Sequence, residues 1–316
     1  MTTMRCCALM MTSLAVLLTA CPATETVDAG ARDSGSVEHD AASAIDSGAT
    51  DALVEQYDGA VIGGVRVYED NVDSMPTSTM VGVELWGLFD RPFPLQIFGV
   101  VREGLWEVTL SAGACVYLTP AMAGFCTPEC TTEQYCDVDD VCQSYPVRQS
   151  AGTLTLTGLT APVTLEPTMD NFYTASGTPT ENLFEPGSMI TLTAEGATLP
   201  AFDVSTTAVA PLAPAIPCPL ELIAGQDLTV TWDAATGGNL IRWEMISAFH
   251  AGDGPMVLCE GPDTGSLVVP ASIVDRYLID RTPYETMQLS RLQHAATGAG
   301  NGRLFVLEAV SMRICF

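Results

Sequence analysis

The feature that most constrains this chain is a two-residue hydrophobic period, repeated in short runs that are cut by turn residues. Near the end, Leu304, Val306, Glu308, Val310, Met312 and Ile314 fall on one side of an extended chain. In Leu228-Thr229-Val230-Thr231-Trp232 the large apolar side chains alternate with threonines. Successive side chains of a strand point to opposite faces, so such runs read as strands with one face buried. Further runs of this kind lie at 64–68, 80–86, 95–101, 105–110, 114–118, 152–157 and 189–194. Others follow at 240–247, 256–259, 266–269 and 287–292. Residues 271–277, just after Pro270, are the one short helix signal. Many short strands separated by Gly, Pro, Asn and Asp predict an all-β body of sandwich type.

The amino terminus predicts where that body resides. Arg5 precedes an apolar stretch at 8–19 that is too short to span a bilayer as an ordinary helix, and Leu18-Thr19-Ala20-Cys21 follows. This tetrapeptide resembles the lipobox of bacterial lipoproteins. The resemblance implies diacylglyceryl transfer to the Cys21 thiol, cleavage before Cys21 and acylation of the new amine. Two or three acyl chains hold a protein stably at a membrane, where one binds only marginally. Residues 1–20 are then a signal peptide. Pro at position 22 implies the outer membrane, with the body outside the cytoplasm.

Residues 21–59 are expected to form a disordered acidic linker. Between Pro22 and Gly59 nine acidic residues face one basic residue, Arg32, and almost no aromatic ones. Such a segment cannot bury enough apolar surface to offset its ordering entropy. Beyond it, an N-terminal β-domain is expected at 60–200, with a cysteine-rich insert at 115–142, and a second β-domain at 201–316. The run DLTVTWDAATGGNLIRWEMIS in that last third resembles immunoglobulin-like domains of secreted bacterial proteins. Lipobox, acidic linker, cysteine-rich insert and β body together resemble exported lipoproteins of GC-rich bacteria, which implies no particular activity.

Charge removes whole classes of function. All 12 basic residues are Arg, against 38 acidic ones, for a formal net charge of −26. Affinity for nucleic acid comes mainly from Lys and Arg neutralising phosphates, so this polyanion is not expected to bind it. The absence of Lys also excludes a P-loop lysine and Schiff-base chemistry. The sequence calls for no cofactor.

Eight cysteines follow Cys21: Cys115, Cys126, Cys130, Cys136, Cys142, Cys218, Cys259 and Cys315. An even number in an exported chain reads as disulfides, and the polar stretch from Cys126 to Cys142 needs staples to hold a shape. It lacks the Cys-x2-Cys knuckles and nearby His of a zinc ribbon. Spacing alone leaves connectivity open. The expected pairs are Cys126–Cys136 with Cys130–Cys142, and Cys259–Cys315, with at least one bridge joining the insert region to the residues beyond it.

Other candidate sites are weaker. Glu133, Asp137, Asp139 and Asp140 crowd the insert as calcium candidates, yet the EF-hand template fails and a solvated loop is the default. Asp263-Thr264-Gly265-Ser266 has the letters of the aspartic-protease signature. That chemistry needs two positioned carboxylates, and the other Asp-Ser-Gly copies lie in the linker, so a turn feeding the next strand is expected. His39, His250 and His294 show no metal spacing. Trp86, Phe89 and Phe93 flank a Pro-containing turn where exposed rings can stack on sugar or peptide, although core packing is the default. The sequence thus favours a non-enzymatic binding module for an envelope protein or glycan. The alternatives are a hydrolase with Asp263 as its least weak candidate, and a structural envelope component.

Overall fold

The computed structural model describes residues 61–72, 79–90, 96–97, 100–101, 106–120, 126–137, 140–176, 183–213, 220–249, 252–281, 284–301 and 304–315. The signal segment, Cys21 and the acidic linker lie outside these, as do Cys218, Asp139, His39, His250 and Phe93. The described residues all belong to one compact unit, Asp46–Phe316.

Among the described residues the fold is all-β with one helix. Strands β1 (Val61–Val72) and β2 (Thr79–Gly87) come first, then the short β3 (Gln96–Ile97) and β4 (Val100–Val101). A second hairpin, β5 (Trp106–Ala112) and β6 (Cys115–Pro120), leads to the insert, with β7 (Gln134–Cys136) and β8 (Cys142–Ser144). Next are β9 (Leu154–Thr157), β10 (Val163–Pro167), β11 (Tyr173–Ser176), β12 (Met189–Ala194) and β13 (Phe202–Thr207). The chain continues with β14 (Leu228–Thr231), β15 (Leu240–Phe249), β16 (Gly252–Pro262) and β17 (Ser266–Val269). Helix α1 (Ala271–Asp280), β18 (Tyr284–Gly298) and β19 (Leu304–Cys315) complete it.

Eight of these strands form one sheet in the order β2-β1-β19-β18-β15-β16-β6-β5, and five form a second in the order β11-β10-β9-β12-β13. The first and last strands, β1 and β19, pair in parallel one strand in from the β2 edge of the large sheet, with Arg66 beside Glu308 and Tyr68 beside Val310. The other ladders in this sheet are antiparallel.

The expected division at residue 200 is not followed. The large sheet mixes β1, β2, β5 and β6 from one side of Pro200 with β15, β16, β18 and β19 from the other. The 201–316 stretch therefore does not stand alone as an immunoglobulin-like sandwich. Pro200 lies in the short turn of the β12–β13 hairpin, and Pro and Gly mark turns whether or not a domain ends there. The nearby residues up to 213, which include Pro211, are bound to the sheet. Leu212 is 1% exposed, its N–H donates to Ser311 Oγ at 3.2 Å, and its carbonyl accepts from Arg313 Nε at 3.1 Å.

One face of the large sheet carries two apolar cores. Val65, Val67, Phe305, Leu307 and Ala309 pack with Leu154, Leu156, Ile190, Leu192, Phe202 and Val204 of the five-stranded sheet. Further along, Tyr117, Ile241, Trp243, Met245 and Val257 pack with Val230, Trp232, Leu267 and Val269 of the β14–β17 pair, and with Ile273, Val274 and Tyr277 of α1. Strand β19 is buried on both faces, although all but one of the ladders in its sheet are antiparallel. Its other face presents Val306, Val310, Met312 and Ile314, with Glu308 among them.

Candidate functional site

The β1–β19 pairing puts charge where apolar residues usually sit. On that second face Arg66 Nε donates to Glu308 Oε2 at 3.0 Å, and Arg242 Nε donates to Glu260 Oε2 at 2.9 Å. Arg242 Nη2 lies 3.5 Å from Glu308 Oε1, linking the two pairs. Gln288 Nε2 donates to Glu244 Oε2 at 2.9 Å and to Ser290 Oγ at 3.0 Å. Arg242, Glu244, Glu260 and Glu308 are all 2% exposed or less.

This network sets three carboxylates against two guanidiniums. Burial pushes Glu260 above the ordinary carboxylate range, and Arg242 does not fully offset it. Burial acts on Glu308 as well, but Arg66 and Arg242, with His294, outweigh it and hold Glu308 below that range. Two carboxylates with pKa values driven apart are the raw material of acid–base catalysis. Here they are closed off from solvent, and neither cavity described below is lined by them. Their geometry is that of an internal ion network. His294, opposite Glu308 in the β18–β19 register, is pushed down by burial.

Asp263 is fixed on the opposite face. Its carboxylate accepts from Arg291 Nε at 2.7 Å, from Trp232 Nε1 at 2.5 Å and from the Ala235 N–H at 3.1 Å. Arg291 also donates to the carbonyls of Ala210, Pro211 and Asp233. The Asp263-Thr264-Gly265-Ser266 run is a turn into β17, with Gly265 at φ +93°, where glycine alone is comfortable. Among the described residues the partners of Asp263 are donors that anchor it, with no second carboxylate on it. Phe89 is a core ring, 6% exposed, with the Arg148 guanidinium 5.2 Å above it. Of Trp86 only the backbone is described.

The insert has a different construction. Cys126–Cys136 and Cys130–Cys142 are both present, as expected, and the two bridges bring the sulfurs of Cys126, Cys130 and Cys142 within 4.8 Å of one another. Bonded as disulfides, these sulfurs offer no thiolate to a metal. Cys259 departs from its expected partner. It bonds to Cys115, which lies directly opposite it in the β6–β16 register, so this bridge joins the insert side of the chain to the later residues. Cys315 is also in a disulfide, to a residue outside the described ones.

Asp137 closes the tip of the β7–β8 hairpin. One oxygen accepts from the Val141 N–H and the other from Gln143 Nε2, both at 2.9 Å, while Asp140 sits at φ +58°. The calcium candidate Asp137 thus already serves the turn. The hairpin is tied to the body where Val147 and Asp90 exchange hydrogen bonds and where Gln149 N donates to Leu88 O.

Beside this hairpin runs a groove of about 560 Å³, walled by Glu133, Gln134, Tyr145, Pro146 and Val147. Tyr145 is 50% exposed and leans on Tyr135 at 5.4 Å, and Val147 is 61% exposed. Next to it Arg148 lies between Phe89 and Phe172, 4.1 Å from the Phe172 centroid, and Phe172 is itself half exposed. A second cleft, of about 360 Å³, is neutral, with Thr207, Thr236, Asn239 and Gln293 on its walls.

Sequence reasoning did not single out Tyr145, Val147 or Phe172. For Tyr145 and Val147 the available signal was their position, just past the last stapled cysteine, where large apolar side chains have no core of their own to enter; Phe172, in the turn between β10 and β11, gave no such signal. No protein-family model, curated protein or solved structure matches this chain.

Proposed function

We propose that the protein is a lipid-anchored, extracytoplasmic binding module that presents the stapled insert as its recognition surface. The lipobox-like Leu18–Cys21 supplies the anchor, and the disulfides fit the oxidising compartment to which such a signal leads. One contrast carries the reading. The buried carboxylates of Glu260 and Asp263 are locked into internal pairs, whereas Tyr145 and Val147, next to the stapled insert, stand exposed at the surface. Exposed apolar patches of this kind mark interaction sites, and a surface already ordered by disulfides loses little entropy on binding. Function on this reading lies in recognition, with no bond made or broken.

Two readouts in cells test it. A clickable fatty acid is expected to label wild-type protein and not Cys21→Ser. A photo-crosslinking residue at Tyr145 is expected to form adducts that the same residue at Ile223, an exposed position on the body, does not form. Absence of lipid label on wild type contradicts the anchor. Equal adducts at both positions contradict the assignment of the surface.

A further inference from the structure

We propose that the groove of the insert binds a cationic segment of a partner protein, with Arg or Lys flanked by aliphatic or aromatic side chains. This rests on the reading of the insert as a recognition surface, and it specifies the chemistry of the partner.

Charge is the first support. The insert carries Glu129, Glu133, Asp137, Asp139 and Asp140 and no basic residue, with Arg148 a few residues beyond it. In the body the buried carboxylates of Glu260, Glu308 and Asp263 are paired with guanidiniums, so they contribute little to the field outside. Glu129 and Glu133 are exposed, and Glu133 stands on the wall of the groove beside Tyr145. With −26 on the whole chain, anionic partners are repelled and a cationic one is drawn in, most strongly at low salt.

The second support is the apolar part of the surface. Val141, Tyr145 and Val147 are each at least 50% exposed, and a partner of pure charge leaves them wet. Branched aliphatic side chains also suit a peptide better than a neutral sugar, which needs flat rings and hydrogen bonds. A third observation is internal. Arg148 lies between the rings of Phe89 and Phe172, so this surface already stacks one guanidinium against aromatic faces. The half-exposed Tyr145, with Glu133 alongside, offers the same combination to a residue from outside. A groove of about 560 Å³ has room for several side chains.

The test uses the full mature lipidated protein in non-ionic detergent and a labelled twelve-residue peptide in which Arg alternates with Val and Leu. Comparison probes replace Arg with Glu, or Val and Leu with Ser, and a neutral oligosaccharide serves as the fourth. The Arg/Val/Leu peptide is expected to bind, and to bind more weakly as salt rises. Tyr145→Ala is expected to weaken it about tenfold or more, as for an aromatic anchor. Tyr145→Phe keeps the ring and is expected to retain binding. Glu133→Gln is expected to cost about two- to fivefold, the range of an exposed ion pair. Glu185→Gln and Glu221→Gln, exposed acids of the body outside the groove, are expected to stay within about twofold of wild type.

Equal losses in those two controls overturn the proposal, because binding is then to the general negative charge. Equal binding of the Ser-containing peptide also overturns it. Oligosaccharide binding that depends on Tyr145, without peptide binding, overturns the cationic partner and leaves the recognition surface standing. Failure of all four probes, together with no adduct at Tyr145 in cells, overturns both.

Discussion

Glu308 and Glu133 are both glutamates of a strongly acidic chain, held in opposite ways. Glu308 sits inside the fold against Arg66 and is reached by Arg242, on a strand, β19, whose side chains are buried on both faces. Glu133 stands in solvent on a segment where Cys126 and Cys136 are the buried apolar residues and two disulfides fix the backbone. The body has enough apolar area to take charge inside, provided each charge is paired. Over 126–142, Cys126 and Cys136 are the only buried residues among the described ones, so covalent bonds take the place of a core there. Architecture thus separates a region that hides its charge from one that displays it.

The largest expected effect tests the body's own covalent staple. Cys115→Ser with Cys259→Ser removes a bridge between residues 144 apart in sequence. Constraint of so long a loop in the unfolded chain contributes about 5 kcal/mol. Denaturant unfolding is expected to show a loss of that order. A loss below about 1 kcal/mol means that the sheet alone holds the body.

Removing the guanidinium at the centre of the network comes next. Arg242→Met leaves Glu260 and part of Glu308 uncompensated in the interior, and breaking such a pair costs about 3–5 kcal/mol. Urea unfolding of the variant measures it. A change within about 0.5 kcal/mol, the range of an ordinary surface substitution, places the network in contact with water and erases the contrast with the insert.

These residues show what was readable in advance. The alternation in Leu304–Ile314 correctly marks one face of β19, including Glu308, and the run ending at Trp232 marks β14 with its buried Val230. A glutamate inside an apolar alternation was the visible sign of a buried partner. That the partner is Arg66, 242 residues away, depends on the parallel β1–β19 pairing, and strand periodicity carries no information on which strands meet. The spacing of the insert cysteines was short enough for local pairing to be expected. Cys115 and Cys259 meet only because β6 and β16 are neighbours, so the bridge expected from Cys259 went to the wrong residue. Strand β13 alternates as clearly as β14 yet was not among the expected strands, and β10, also not expected, is short and ends in Pro167, which weakens its signal. Exposure at Tyr145 became visible only with the fold, since an aromatic residue in sequence reads as core.

A smaller effect sharpens the comparison through pH. His294 is held below its ordinary pKa chiefly by burial, with Arg242 adding to it and Glu308 opposing. The unfolded chain therefore binds a proton on this residue more readily than the folded one. Its contribution to stability is complete above the ordinary histidine value, about 6.5, and is lost as pH falls below it. Glu308, also depressed, adds to the loss at lower pH, while Glu260, raised, works the other way. Unfolding free energy measured from pH 7 to 5 is expected to decline in wild type. His294→Gln is expected to flatten that slope by up to about 1.4 kcal/mol per pH unit. An unchanged slope means that His294 is not the residue that takes up the proton.

The independence of the two regions is tested most directly by removing both insert bridges at once. With Cys126, Cys130, Cys136 and Cys142 all replaced by Ser in the full mature chain, hydrogen exchange is followed by mass spectrometry alongside thermal melting. The account expects amides of the β7–β8 hairpin to exchange at once while β15, β18 and β19 keep their protection and the melting temperature of the body holds. Collapse of protection across the large sheet, together with a melting temperature that falls with the insert, would contradict it.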